Sequence, residues 1–360
     1  MRLLSGFCIA ALSLAACGGD EPVPQSPVTP VEPPPAATAS SAPAAPEPTA
    51  EEKKKATDLA KLEADRTKMR AEHEKEMARL TPELRARIKA LSEKNWPTAK
   101  AALTELTKSP YRQPGNAERD GQRHPIETLD FFGLKPTQTV FEYGPGGGWF
   151  TELLAPTLAK KGKLIVNNGD PRGPKDERST YYAERVALLL ETTPELYGKV
   201  DTIVVDGKAP KLGLEKKLDA AYVIRGLHGM VNGGTLDTWL GEIHGALKDK
   251  GTLGIEQHRA KEGSDPKVSS KQGYLPEKWV IETIEAAGFK LAAKSEINAN
   301  PKDTKDYPEG VWALPPSLER GDKDRATLTA IGESDRMTLR FAKVAKPAAK
   351  TPGLGASRHD

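Results

Sequence analysis

The stretch Val140-Phe141-Glu142-Tyr143-Gly144-Pro145-Gly146-Gly147-Gly148-Trp149 sets an acid two residues before a G-x-G-x-G turn. Glycine has no Cβ, so such a turn lets backbone pass close to a bound molecule. If a helix follows, its first N–H groups lack intrahelical partners and face the turn. The pattern suits a ligand held by main chain, with Glu142, Gly144, Gly146 and Gly148 as binding candidates. It differs from the G-x-G-x-x-G fingerprint of dinucleotide folds, which carries its acid about 20 residues further on. Two later stretches add groups for protons and anions: Ile224-Arg225-Gly226-Leu227-His228 and Gln257-His258-Arg259. Histidine titrates near neutrality and can take a proton from a hydroxyl or an amine. His258 and His228 are therefore the candidate bases, and Arg259 the candidate clamp for an anionic substrate group. No His, Asp or Glu cluster has metal-ligand spacing, so no metal is expected.

Alternating strands and helices are needed to position these residues. Apolar runs predict strands over 139–143, 163–166, 202–205, 220–224, 252–256, 290–297 and 337–344. Helices are expected over 124–132, 149–159, 180–191, 236–247 and 277–287. Pro125 stands in the first turn of one, and Gly133 and Gly288 follow two ends, as caps do. Such alternation argues for a parallel sheet covered by helices, with ligands at the carboxyl edge of the strands. Upstream, residues 51–94 are charged, with Leu80, Leu84, Ile88 and Leu91 on one helical face. Thr81-Pro82-Glu83 reads as a cap and first turn, so a helix restarts there, and a shorter one runs from Pro97 to Thr107. This helical extension, residues 51–108, is expected to be a stalk or to pack on the main domain, and it leaves open a helix-mediated self-association.

The acid and glycine turn resemble motif I of class I methyltransferases. Further stretches resemble a family of bacterial predicted methyltransferases: Arg119-Asp120-x-x-Arg123-His124-Pro125, Phe131-Phe132-Gly133-Leu134-Lys135-Pro136, Asp303-Thr304-Lys305-Asp306 and Gly332-Glu333-Ser334-Asp335-Arg336-Met337-Thr338-Leu339. The resemblance covers about residues 109–345. It implies a Rossmann-like α/β fold with a seven-stranded methyltransferase sheet, the last strand antiparallel. The implied cofactor is S-adenosylmethionine, its amino-acid part on the glycine turn. Asp170, after the second strand, is implied for the ribose hydroxyls, with Asn167 or Asn168 as weaker substitutes. Asp206, after the third, is implied for the adenine amine. The Asn-Pro-Pro-Tyr signature of amino-methyltransferases acting on nucleic acid is absent after the fourth strand. With the last strand reversed, residues 298–335 leave and return at the ligand edge. A connection of that length is usually functional, and this one, holding Asp303, Lys305, Asp306, Trp312, Asp322 and Arg325, is expected to be a substrate lid.

The chain has 360 residues and a formal charge of +3. That near balance gives no reason to invoke nucleic acid, whose binding proteins concentrate basic residues. Met1-Arg2 and the apolar run Leu3 to Ala16 read as an export signal, too short for a span of roughly 20 residues. The run ends in Leu14-Ala15-Ala16-Cys17-Gly18, which resembles the bacterial lipobox. Residues 1–17 are thus expected to be a lipoprotein signal with Cys17 lipidated, and Gly18 favours the outer membrane, facing the periplasm. A Pro- and Ala-rich linker over 18–50 would supply reach, and residues 346–360 a tail. The only other cysteine is Cys8 within the signal, so no disulfide is expected. S-adenosylmethionine is made in the cytoplasm. A non-catalytic ligand-binding or envelope-interaction module on the same fold therefore stands as the alternative to an enzyme with an unknown acceptor.

Overall fold

The computed structural model describes residues 49–344. The expected signal with Cys17, nearly all of the 18–50 linker and the 346–360 tail lie outside the described residues.

Seven strands form one sheet in the order β3-β2-β1-β4-β5-β7-β6. Their ranges are β1 Thr139–Tyr143, β2 Lys163–Asn168, β3 Asp201–Val204, β4 Leu218–Ile224, β5 Leu247–His258, β6 Phe289–Ser295 and β7 Arg336–Lys343. β1 to β5 pair in parallel, while β7 lies antiparallel between β5 and β6. This is the Rossmann-like methyltransferase sheet the sequence implies. Helices Pro125–Phe131, Thr151–Leu158, Arg178–Thr192, Leu236–Ala246 and Glu277–Ala286 fall where expected, within a few residues at their ends.

Side chains alternate across a strand, and both faces of this sheet are covered. Val140, Leu164, Val166, Ala220 and Tyr222 enter one core with Leu153, Leu154 and Leu158. Phe141, Ile165, Ala221, Val223, Leu253, Ile255, Leu339 and Phe341 enter the other with Trp239, Leu240 and Ile243. The same period of two puts Glu142, Glu256, His258 and Arg336 on the first face, at the carboxyl edge of β1 and β5 and the start of β7. The chemistry of the molecule collects there.

The extension comprises α1 (Ala50–Arg79), α2 (Pro82–Glu93) and α3 (Ala99–Leu106). Thr81 caps α2, its hydroxyl accepting from the Leu84 N–H, with Pro82 in the first turn. The apolar face of α2 is not free. Leu80 and Ile88 are buried in the first core with Leu103 and Leu106 of α3, each full burial contributing about 1.5–3 kcal/mol. The Trp96 indole donates to the Pro156 carbonyl, fastening the extension to the helix that follows β1. On α1, Leu62, Arg66 and Met69 are buried, and the Arg66 Nε bonds Glu184 at 2.7 Å on the Arg178–Thr192 helix. Residues 51–108 thus pack into the main domain, with the apolar face of α2 used within the chain. Among the described residues, no helix is long and apolar enough to cross a membrane.

Candidate functional site

A cleft of about 440 Å³ opens at the carboxyl edge of the sheet. Its walls come from the glycine turn, the Asn116–Arg123 segment, the ends of β4 and β5, and the β6–β7 connection. Gly144 and Gly146 hold φ of 54° and 59°, a region that side chains adopt at a cost of 1–2 kcal/mol per residue. A Cβ at Gly144 would meet nothing within 4 Å, and one at Gly146 only the Gly144 carbonyl at 3.9 Å. These two glycines are therefore not required by packing; their missing side chains keep the backbone open to the cleft. Gly148 differs. A Cβ there would collide with Leu189, so Gly148 serves the packing of turn against helix and does not line the cleft.

Beneath the turn, Glu142 is buried and accepts from the Thr151 hydroxyl at 2.8 Å. Burial pushes its carboxyl up to about 7, opposed by that hydrogen bond. Asn167, at the end of β2, accepts from the Gly144 N–H at 2.8 Å and ties the turn to the neighbouring strand.

His228 and His258 both line the cleft, with ring centroids 5.8 Å apart. Burial lowers both imidazoles, His258 well below the usual histidine range, and for His258 the neighbouring His228 adds to the effect. Both rings are therefore neutral at pH 7, the form that accepts a proton. His258 Nδ1 lies 2.5 Å from the Ser334 hydroxyl. His228 Nδ1 lies 3.4 Å from Gln257 Oε1, while the Gln257 amide nitrogen donates to the Gly273 carbonyl. With Nδ1 occupied in this way, Nε2 is the atom of each ring left to meet a substrate proton.

Three expected site residues do not reach the cleft. Arg259 is held between Glu277 at 3.0 Å, Glu296 at 2.7 Å and Asp335 at 3.8 Å, so it is no free anion clamp. Asp170 is exposed and grips Arg172 through its side chain and its N–H, which lowers the Asp170 carboxyl. Asp206 is exposed and caps the Lys208 N–H at 2.9 Å. Of the two asparagines, Asn168 donates to the buried Ala183 carbonyl and is committed.

The β6–β7 connection is a wall as much as a lid. Val311, Trp312, Pro315, Pro316, Ser317, Glu333 and Ser334 face the cleft, and Trp312 stands edge-on to His228 at 6.1 Å. The connection also has a core of its own in Tyr307, Ala313, Leu314 and Leu328. Its other expected residues are engaged elsewhere. Asp303 accepts from the Tyr274 hydroxyl and the Asp335 N–H. Lys305 pairs with Asp335, Asp306 with Lys261, and Asp322 with Arg325.

A basic cluster on the floor was not among the expected site residues. Arg119 and Arg123 reach Glu333 at 3.0 and 2.8 Å. Arg336 joins Glu333 to Glu256, both at 2.9 Å. Arg225, at the end of β4, has φ of 56°, which breaks the alternation of its strand. Its guanidinium lies 3.8 Å from Glu256 and 3.7 Å from Glu333. The signal was available in part: two of the stretches that carry the family resemblance, 119–125 and 332–339, meet here.

No protein-family model matches the chain, and neither does any curated protein. Solved structures are similar to it at low identity. One is an S-adenosylmethionine-dependent methyltransferase from Aquifex aeolicus, 16% identical over 68% of this chain and 98% of that one, with a TM-score of 0.41. Another is the cyclase SpnF, 16% identical over 69% and 97%, TM-score 0.45. A third is the 1,6-didemethyltoxoflavin-N1-methyltransferase of Burkholderia thailandensis with bound S-adenosylhomocysteine, 14% identical over 63% and 80%, TM-score 0.38. With TM-scores below 0.5 these add nothing to the strand order, which itself carries the fold.

Proposed function

We propose that this chain is an S-adenosylmethionine-dependent methyltransferase acting on a small or envelope-associated acceptor. One observation carries the reading. A left-handed glycine pair opens onto the cleft at the carboxyl edge of this sheet, and two neutral histidines converge on the same cleft. The residues fit the amino-acid end of such a cofactor: open backbone at Gly144 and Gly146, with the Glu142 carboxyl beneath. The nucleoside end is less well provided, since Asp170 and Asp206 point elsewhere. Asn167, which holds the glycine turn through its side-chain oxygen, has an amide nitrogen without a partner among the described residues and is the donor left at the end of β2.

When bound, S-adenosylmethionine supplies an electrophilic methyl carbon and a thioether leaving group. The chain's own part is to align the acceptor, exclude water and receive a proton. His258 or His228 takes the proton lost by the acceptor's hydroxyl or amine as that oxygen or nitrogen bonds the methyl carbon. Trp312 stands edge-on to His228 on the wall of the cleft. The displaced Asp170 favours the alternative, a non-catalytic binding module. Calorimetry of the full chain with S-adenosylmethionine and S-adenosylhomocysteine separates these readings from a fold with no cofactor: one-to-one binding is expected, and its absence would sink both cofactor and enzyme. Turnover then separates enzyme from module.

With this function goes a place in the cell envelope, anchored by a lipidated Cys17 and facing the periplasm. The lipobox-like Leu14-Ala15-Ala16-Cys17 supports it.

A further inference from the structure

Four guanidinium groups, on Arg119, Arg123, Arg225 and Arg336, share the two carboxylates of Glu256 and Glu333 on the cleft floor. Two positive charges are left uncompensated. Arg112, the next arginine along, is already held by Asp120 and Glu152. The histidines beside the cluster are driven neutral by burial and do not change the balance.

The excess is concentrated at Arg225. Its side chain is four-fifths buried, lines the cleft and makes no hydrogen bond, and its Nη1 is a buried donor without a partner. Arg336 Nε and Glu256 Oε1, also buried, are a charge pair 2.9 Å apart that lacks only hydrogen-bond geometry, so they compensate each other and leave Arg225 as the member without a close partner. Buried polar groups are nearly always satisfied, and a buried charge without a partner is unfavourable. With four guanidiniums to two carboxylates and only long contacts to either, the Arg225 guanidinium is the one placed to take a further anion. The guanidinium fork suits a carboxylate or phosphate, which it can bind through two parallel hydrogen bonds. Arg225 also stands on the side of the histidines. Its guanidinium reaches toward Glu256 of β5 and Glu333 before β7, away from the glycine turn on β1.

We infer that the methyl acceptor carries an oxyanion, a carboxylate or a phosphate, which Arg225 binds beside the His228–His258 pair. The inference rests on the methyl-transfer reading of the cleft. The oxyanion is the handle, and the nucleophile is a separate hydroxyl or amine on the same molecule, presented to an imidazole Nε2.

The test is calorimetry of the full chain saturated with S-adenosylhomocysteine, titrated with inorganic phosphate and, separately, with succinate. One of the two is expected to bind, and which one names the handle. Arg225→Gln should weaken that binding at least tenfold, while S-adenosylhomocysteine affinity changes less than about threefold. Arg119→Gln, at the more exposed rim of the cluster, should weaken it by a smaller factor and decides the matter if Arg225→Gln fails to fold. Neither probe binding to chain that holds S-adenosylhomocysteine would overturn the inference and leave the cofactor reading intact. Competition between probe and S-adenosylhomocysteine, or loss of both affinities in Arg225→Gln, would overturn it by showing that the cluster serves the cofactor's own carboxylate. Unchanged probe affinity in Arg119→Gln and Arg225→Gln would also overturn it. Failure of S-adenosylhomocysteine to bind at all, with a probe still bound, would remove the acceptor through the function and not through Arg225.

Discussion

At the scale of single residues, the histidines and Glu142 respond to burial in opposite directions, and pH tells them apart. A buried neutral imidazole favours folding above the unfolded histidine range and loses that contribution as pH falls below about 6.5. A base of this kind is already unprotonated at neutrality. The rate should be flat from pH 7 upward and fall only on the acid side. His258→Ala should slow single-turnover methyl transfer by roughly 10²- to 10⁴-fold with cofactor affinity unchanged. Unchanged turnover would move the role to His228. Glu142 has the reverse sign. Its carboxyl is raised to about 7 in the folded chain. Its contribution is complete below the unfolded carboxylate range and is lost as pH rises through about 7. Glu142→Gln should therefore stabilise the ligand-free chain at pH 8, by up to roughly 3 kcal/mol, and do nothing of the kind at pH 5. Thermal melts at the two pH values read this directly, and equal effects at both would refute the buried-acid account.

At the scale of elements, the glycine turn does two jobs that substitution separates. Gly146→Val would put a branched side chain into open cleft, so cofactor binding should fall by well over 1.4 kcal/mol, a tenfold change, with the fold retained. Gly148→Val would instead drive into Leu189 and should lower the melting temperature. Loss of stability in both, or of affinity in neither, would undo the division. The turn, the strands and the histidines were legible because each depends on local pattern: apolar runs, caps, and glycines before a helix. β5 was recognised over 252–256 yet starts at Leu247, since Lys248-Asp249-Lys250-Gly251 gives no apolar signal. Arg259 looked free because its three acidic partners come from the residue after β6, the Glu277–Ala286 helix and the residue before β7. Arg225 was passed over because only its left-handed backbone turns it into the cluster. Asp170 was chosen by rank after β2, and rank does not say that Arg172 would hold it.

At the scale of the whole molecule, the anchoring expectation is tested by fractionation. Cys17→Ser should leave the protein unprocessed or release it from membranes; processed protein still in the membrane fraction would refute lipidation at Cys17. Within the described residues, the floor of the cleft is fastened by residues far apart in the chain. Arg119 and Arg123 meet Glu333, and the Arg336 guanidinium reaches the Gln122 carbonyl. β7 meanwhile slots between β5 and β6 as the final strand. During synthesis from the N-terminus, the glycine turn and both histidines emerge well before Glu333 and Arg336. A nascent chain released early at about residue 331 would carry the glycine turn and both histidines with Arg119, Arg123, Arg225 and Glu256, the partner of Arg336, but without the Glu333 and Arg336 that tie the floor together. Completion of translation, and not merely folding of the first half, is what closes this site.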